Sequence, residues 1–275
     1  MDIAGNSVEY LDTGAGQPVV LLHSTGASGA QWRALIERLA ARFRVIAPDL
    51  CGYGATSGWS GRGPFTLAHE AMLVGALLDR FDEPIHLVGH SYGGAVALHL
   101  ARTQGERLRS LTLYEPVAFH LLRTADADDE AALGEISAVA AAVVRSLASG
   151  DLAEGAGRFI DYWSGPGAWA AMPPARQAAF ATRLAKVALD FHAAMGEPAS
   201  LRDVERIAVP TLLLHGDRSP RSTRRICQRL AQALPDVTVA TVHGAGHMAP
   251  LTHAGEVNDR IAVHLEASAA LALTD

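Results

Sequence analysis

The chain has 275 residues, 49% of them apolar and 19% charged, enough for one large core or a core carrying an inserted subdomain. A net charge of −6 without a basic stripe argues against a nucleic-acid partner, and two cysteines, Cys51 and Cys227, make no disulfide framework. No apolar run reads as long enough to span a bilayer, and Met1-Asp-Ile-Ala-Gly-Asn6 lacks a secretory pattern, so a cytoplasmic protein without a membrane partner is expected.

Residues 7–12 alternate weakly and predict an early antiparallel strand, followed by the turn Gly14-Ala-Gly-Gln17. Pro18-Val-Val-Leu-Leu-His23 is a continuous apolar run, the pattern of a strand buried on both faces. A small loop, residues 24–29, leads to a helix over 32–43, with Trp32, Leu35, Ile36 and Leu39 on one face. Arg44-Val-Ile-Ala-Pro-Asp49 predicts another buried strand, which runs into the loop 49–57, and a second helix spans 66–81. A buried strand over 85–88 is followed by a helix over 95–102, and residues 108–115 read as the next strand. After a long helical stretch come a strand over 209–216, a helix over 223–234, a strand over 237–242, the loop His243-Gly-Ala-Gly-His247 and a closing helix over 256–267.

Between the strand ending at Val88 and the next helix stands Gly89-His90-Ser91-Tyr92-Gly93, a G-x-S-x-G elbow. A serine on a sharp strand-to-helix turn sits in strained backbone, and side chains two residues to either side would collide there. Gly89 and Gly93 remove those side chains, and Gly94 lets the helix cross close to the sheet. The first N–H groups of that helix favour negative charge beside Ser91 Oγ.

Strands alternating with helices predict a mostly parallel sheet covered on both faces, with ligands bound beyond the C-terminal strand ends. The Ser24 loop, the Asp49 loop, Ser91, Glu115, the Gly216 loop and the His247 loop all fall at that edge. HExxH is absent, and His86 and His90 straddle a strand and its turn, so a structural zinc site is not expected.

The pieces LLHSTGASGAQW, VIAPDLCGYGATS, LVGHSYGGAVAL, LTLYEP, LLLHGDRSP and GAGHMAP resemble the α/β-hydrolase superfamily over essentially the whole chain. The resemblance implies an α/β fold, with a mostly parallel eight-stranded sheet, helices on both faces and a helical cap inserted after strand six. The expected division is core at 1–117 and 207–275 and cap at 118–206. Amphipathic segments over 129–149, 153–163 and 174–195 fill the cap interval, and Asp126 to Glu130 suit a helix N-terminus. Phe119, Leu122, Phe159, Tyr162, Trp163, Trp169, Phe180 and Met195 are candidates for either cap core or pocket wall.

By this resemblance Ser91 is the nucleophile and His247, in Gly244-Ala-Gly246-His247, is the base. An imidazole suits both proton removal and return. The acid position departs from the common pattern. The loop that carries G-x-x-D in most relatives reads Gly216-Asp217-Arg218-Ser219, with serine at the acid position. Glu115, ending the sixth strand as in one subgroup of relatives, is the preferred acid, and Asp217 is the alternative. Oxyanion donors are expected at Tyr92 N–H and Thr25 N–H, with Ser24 as second choice.

Asp49, Cys51 and His90 read as structural, His243 and His253 as surface or core residues, and Trp32 as core or pocket wall. The implied chemistry is acyl transfer to Ser91 on a small-molecule ester, needing no metal or organic cofactor, with a homodimer left open. A carbon–carbon hydrolase of diketone-like ring-cleavage products is the alternative. A small-molecule receptor or nonhydrolytic lyase is the reading from a different class.

Overall fold

The apolar runs of the sequence become the centre of a seven-stranded sheet. In this computed structural model, residues 2–3, 6–61, 63–123 and 126–271 are described. The strands are β1 (Asp2–Ile3), β2 (Asn6–Ser7), β3 (Tyr10–Thr13), β4 (Gln17–Leu22), β5 (Phe43–Pro48), β6 (Ile85–His90), β7 (Leu108–Tyr114), β8 (Thr211–Gly216) and β9 (Val237–Val242). The sheet order is β3-β5-β4-β6-β7-β8-β9, with β3 antiparallel at one edge and every other pair parallel.

Seven strands replace the expected eight. Residues 7–12, read as one strand, divide: β2 pairs with β1 in a separate two-stranded ladder, and only β3 reaches the sheet. The loop after β5 takes the backbone between them. Ser57 N–H donates to Ser7 O, Asp49 N–H to Glu9 O, and Glu9 N–H to Thr56 Oγ1.

The helices are α1 (Arg33–Leu39), α2 (Leu67–Leu78), α3 (Tyr92–Thr103), α4 (Ala127–Ser149), α5 (Leu152–Ser164), α6 (Ala168–Ala171), α7 (Pro174–Ala181), α8 (Leu184–Gly196), α9 (Leu201–Val204), α10 (Arg221–Ala233), α11 (Ala249–Thr252) and α12 (Ala254–Leu271). Because side chains alternate along a strand, each buried strand serves both faces. Val20, Leu22, Leu87, Leu111 and Leu213 join one apolar cluster with α2, α3 and α10. Val19, Leu21, Val88, Leu212 and Leu214 join the other, with α1 and α12. The predicted first helix is shorter than expected: Phe43 leaves it and starts β5, and a 3₁₀ turn over Gly29–Trp32 precedes it.

Between β7 and β8 the described residues form helices and loops, α4 to α9. The single helical segment expected over 174–195 is two helices, α7 and α8, broken around Thr182 and Arg183. Ion pairs fasten this insert to the core. Arg225 and Arg229 of α10 hold Asp126 and Asp129 at the α4 N-terminus. Glu197, just after α8, accepts from His99 at 2.9 Å and Arg102 at 2.8 Å on α3. One expectation is corrected here. The alanine-rich α4, 23 residues, is long and apolar enough by length and composition to cross a bilayer. In this structure it packs against α5, α8 and α10.

Candidate active site

Ser91 is the N-cap of α3, with φ 57° and ψ −116°. That strained backbone is held from three sides. Ser91 N–H donates to Tyr114 O at 3.0 Å, and Ser91 O accepts from Ala95 N–H at 3.0 Å and Val117 N–H at 3.1 Å. The flanking glycines are steric necessities. A Cβ on Gly89 would stand 2.5 Å from Gly93 O, and one on Gly93 would stand 2.5 Å from both Leu22 O and His23 O.

The loop after β9 brings His247 to this serine. His247 Nε2 is 2.9 Å from Ser91 Oγ, and His247 Nδ1 is 2.8 Å from Glu115 Oε2. All three side chains are buried. Glu115 follows β7 with φ 42°, and together with Ser91 it makes the two non-glycine residues of positive φ among those described. Its second oxygen, Oε1, accepts from Gly216 N–H at 2.7 Å and from the Ser219 hydroxyl. Burial alone would push the Glu115 carboxyl up. The hydrogen bonds and charge of His247, with Ser219 and Gly216, outweigh burial and hold it below the usual carboxylate range.

Asp217, the alternative acid, lies elsewhere. It is 42% exposed, accepts from Gly244 N–H at 2.8 Å, and pairs with His243 at 3.2 Å. Two residues before Ser219, its side chain leaves the edge of the sheet where Glu115 remains. The loop it belongs to contributes the donors of Gly216 and Ser219 instead.

Of the expected oxyanion donors, Tyr92 N–H begins α3, and Thr25 and Tyr92 border the same chamber as Ser91. Ser24 is a correction. Its N–H and hydroxyl both donate to Gln31 Oε1, at 3.1 and 2.8 Å, so both donors are spent inside the loop. Gln31 in turn donates through Nε2 to His90 Nδ1 at 3.1 Å, and His90 Nε2–H donates to His247 O at 2.9 Å. This thread joins the loop after β4 to the loop carrying His247. Burial holds His90 far below its ordinary value, and burial likewise lowers His23 to about 4, so both stay neutral. His23 Nδ1–H donates to Ser24 O at 2.8 Å while Nε2 accepts from Leu50 N–H at 2.9 Å.

Two cavities meet at Ser91. A narrow inner chamber with about 20 Å³ of room is bordered by Thr25, Tyr92, Phe119, Val187, Asp190 and Phe191. An outer cleft with about 390 Å³ of room is bordered by His247, Ile160, Met172, Phe180 and Leu251. Phe159 and Trp163 of α5 border both. Trp163 also packs on His247, ring centroids 4.1 Å apart. Of the eight candidates for cap core or pocket wall, Phe119, Phe159, Trp163 and Phe180 border these two cavities, and Leu122, Tyr162, Trp169 and Met195 border neither. Val187, Asp190 and Phe191 were not identified from sequence. Their only signal is a helical spacing of three and four on α8.

The structural readings of the loop after β5 match the geometry. Asp49 accepts from Gly29 N–H at 2.8 Å and Ala55 N–H at 3.0 Å. Cys51 is buried, its thiol pushed up to about 12 chiefly by burial. Among the described residues no group of three or more His, Cys, Asp or Glu side chains is arranged to hold a metal ion.

Residues 19–260 match the alpha/beta hydrolase family. A 2-hydroxy-6-oxo-2,4-heptadienoate hydrolase from Pseudomonas putida is 35% identical over 223 residues, covering 74% of this chain and 73% of that protein. A hydrolase from Pseudomonas aeruginosa superposes with a TM-score of 0.74 at 26% identity, covering 95% of both chains. A thermophilic esterase from Thermogutta terrifontis superposes with a TM-score of 0.71 at 25% identity, covering 95% of this chain and 93% of that one.

Proposed function

Since the chain belongs to the alpha/beta hydrolase family, we propose that it is a serine hydrolase cleaving a small, partly apolar carboxylic ester through an acyl-enzyme. The observation carrying this reading is the hydrogen-bonded line Ser91–His247–Glu115 at the mouth of an apolar chamber.

In this mechanism His247 takes the Ser91 proton as Oγ attacks the ester carbonyl, and Glu115 orients the imidazole and balances its charge. The N–H groups of Thr25 and Tyr92 bind the oxyanion. Collapse breaks the bond to the alcohol oxygen, which leaves with the proton from His247. Water, activated by the same imidazole, then releases the acid.

The proton donor fixes the two ends of the substrate. His247 borders the outer cleft, so the departing alcohol belongs there. The acyl group is then directed to the narrow inner chamber. The charged wall of that chamber is Asp190, and the charge of Lys186 behind it is already shared between Asp190 and Glu70. A neutral, short acyl group suits such a site better than an anionic one.

Cleavage of a carbon–carbon bond in a diketone-like product is the second reading, favoured by the similarity to the heptadienoate hydrolase. The two separate by assay. Purified protein is given p-nitrophenyl acetate and 2-hydroxy-6-oxo-2,4-heptadienoate in parallel, and a fluorophosphonate is used to label the serine. The ester reading expects ester turnover and labelling, both lost in Ser91→Ala. Faster cleavage of the dienoate by orders of magnitude in kcat/KM selects the second reading.

A further inference from the structure

Thr25 is tied through its side chain to the helical insert. Its hydroxyl donates to Asp190 Oδ2 of α8 at 2.7 Å, across 165 residues of sequence. The same oxygen accepts from the Tyr53 hydroxyl at 2.7 Å, and Oδ1 holds the Lys186 ammonium. Lys186 extends to Glu70 Oε2 at 3.5 Å and lies 4.6–4.9 Å from the ring centroids of Tyr53, Phe65 and Tyr92. Asp190 is 3% exposed.

A buried carboxylate is costly unless its oxygens are satisfied, and a buried pair is weak ground for stability alone. Here every donor is present, and one of them comes from the residue read as an oxyanion donor. The loop has a second tether, from Gln31 to Ser24, on the residue before. Among the described residues Thr25 N–H has no protein acceptor. A donor at an oxyanion hole is effective only when it is fixed before charge develops. Gln31 fixes the backbone at Ser24, and Asp190 fixes the side chain at Thr25.

We propose that Asp190 is a positioning residue for the oxyanion hole, through which the insert holds Thr25 so that its N–H faces the carbonyl attacked by Ser91. The proposal rests on the ester-hydrolase reading above. It makes docking of α8 and completion of the oxyanion hole a single event. An insert displaced at α8 leaves the Ser91–His247–Glu115 line intact but the oxyanion donor loose.

The test uses Thr25→Val, Asp190→Asn and their double variant in the full chain, with p-nitrophenyl acetate as substrate. Each single variant is expected to lower kcat ten- to a hundredfold with KM within about threefold, the scale of a misplaced donor. The double variant should be no slower than the slower single, because Asp190→Asn weakens, along with the contacts to Tyr53 and Lys186, the same Thr25–Asp190 bond that valine removes. Thr25→Ser, which restores the hydroxyl, should recover most of the loss caused by valine. Unchanged kcat in Thr25→Val, or losses that multiply in the double variant, overturns the proposal. Should Asp190→Asn fail to fold, the valine and serine pair at Thr25 decides alone. Failure of the underlying reading is seen separately, in wild-type protein that neither turns over the ester nor takes a fluorophosphonate on Ser91, and it removes this proposal too.

Discussion

Ser219 donates its hydroxyl to the Glu115 carboxylate, so the position where the sequence resemblance leads one to expect an acid here serves a carboxylate that follows β7. Glu115 Oε1 takes that hydroxyl and the Gly216 N–H, which leaves Oε2 for His247.

The first prediction concerns the acid. Glu115→Gln should lower kcat by about 10²- to 10⁴-fold, since an amide cannot balance the imidazolium. Asp217→Asn should stay within about threefold of wild type, its carboxylate being occupied with Gly244 and His243. In Glu115→Gln, adding Ser219→Asp returns a carboxylate to the loop and should recover part of the loss. Steady-state kinetics on one ester decides all three. Equal activity of Glu115→Gln and wild type sinks the assignment.

A second prediction reads the backbone. Ser91 holds φ 57° and ψ −116° because the turn demands it, a conformation costing about 1–3 kcal/mol for a residue with a Cβ. Ser91→Gly should therefore unfold at higher denaturant than Ser91→Ala, by on the order of 1 kcal/mol, although both are inactive. Chemical unfolding of the two variants side by side checks this. Equal midpoints would mean the strain is relieved elsewhere.

A third follows from the two cavities. With p-nitrophenyl esters, kcat/KM should fall as the acyl chain grows beyond about four carbons, because the inner chamber, bordered by Val187 and Phe191, is narrow. Phe191→Ala should move the optimum to longer chains. Lengthening the alcohol instead should cost little, since the outer cleft is larger. An optimum at long acyl chains in the wild type refutes the partition.

The fourth is a pH dependence of stability. Burial lowers His23 and His120 to about 4 and His86 to about 3, and holds His90 well below its ordinary value. In the unfolded chain each titrates near 6.5. Between those values the unfolded chain binds more protons, so stability rises with pH in that window. The contribution is fully present above about pH 6.5 and is lost as pH falls toward 4, at about 1.4 kcal/mol per unit of separation for each group. Urea midpoints should be flat from pH 7 to 8 and drop steeply below 6.5. A midpoint constant down to pH 5 contradicts this.

The parts of the architecture that the sequence discloses are those built from local pattern. Buried parallel strands announce themselves as unbroken apolar runs, and the elbow by glycines that its geometry requires. Glu115 was legible by its place at the end of a strand. The division of residues 174–195 was not, because the break at Thr182 carries no glycine or proline. Asp190 was equally silent: its partners lie 4, 137 and 165 residues away, and only the packed insert brings them together. Ser24 misled because a free hydroxyl beside a strand end looks like a donor, and nothing local shows that Gln31 consumes it.

The indole of Trp163 over His247 has a further implication for how this protein can be watched. Whenever the imidazole becomes charged, a cation sits against an aromatic face, an attraction of roughly 0.5–2 kcal/mol in a dry setting. The same contact makes Trp163 a built-in optical gauge, since its emission responds to what happens to the ring beneath it. With the other tryptophans replaced, rapid-mixing fluorescence could follow events at His247 from inside the molecule, without a dye and with whatever natural substrate is supplied.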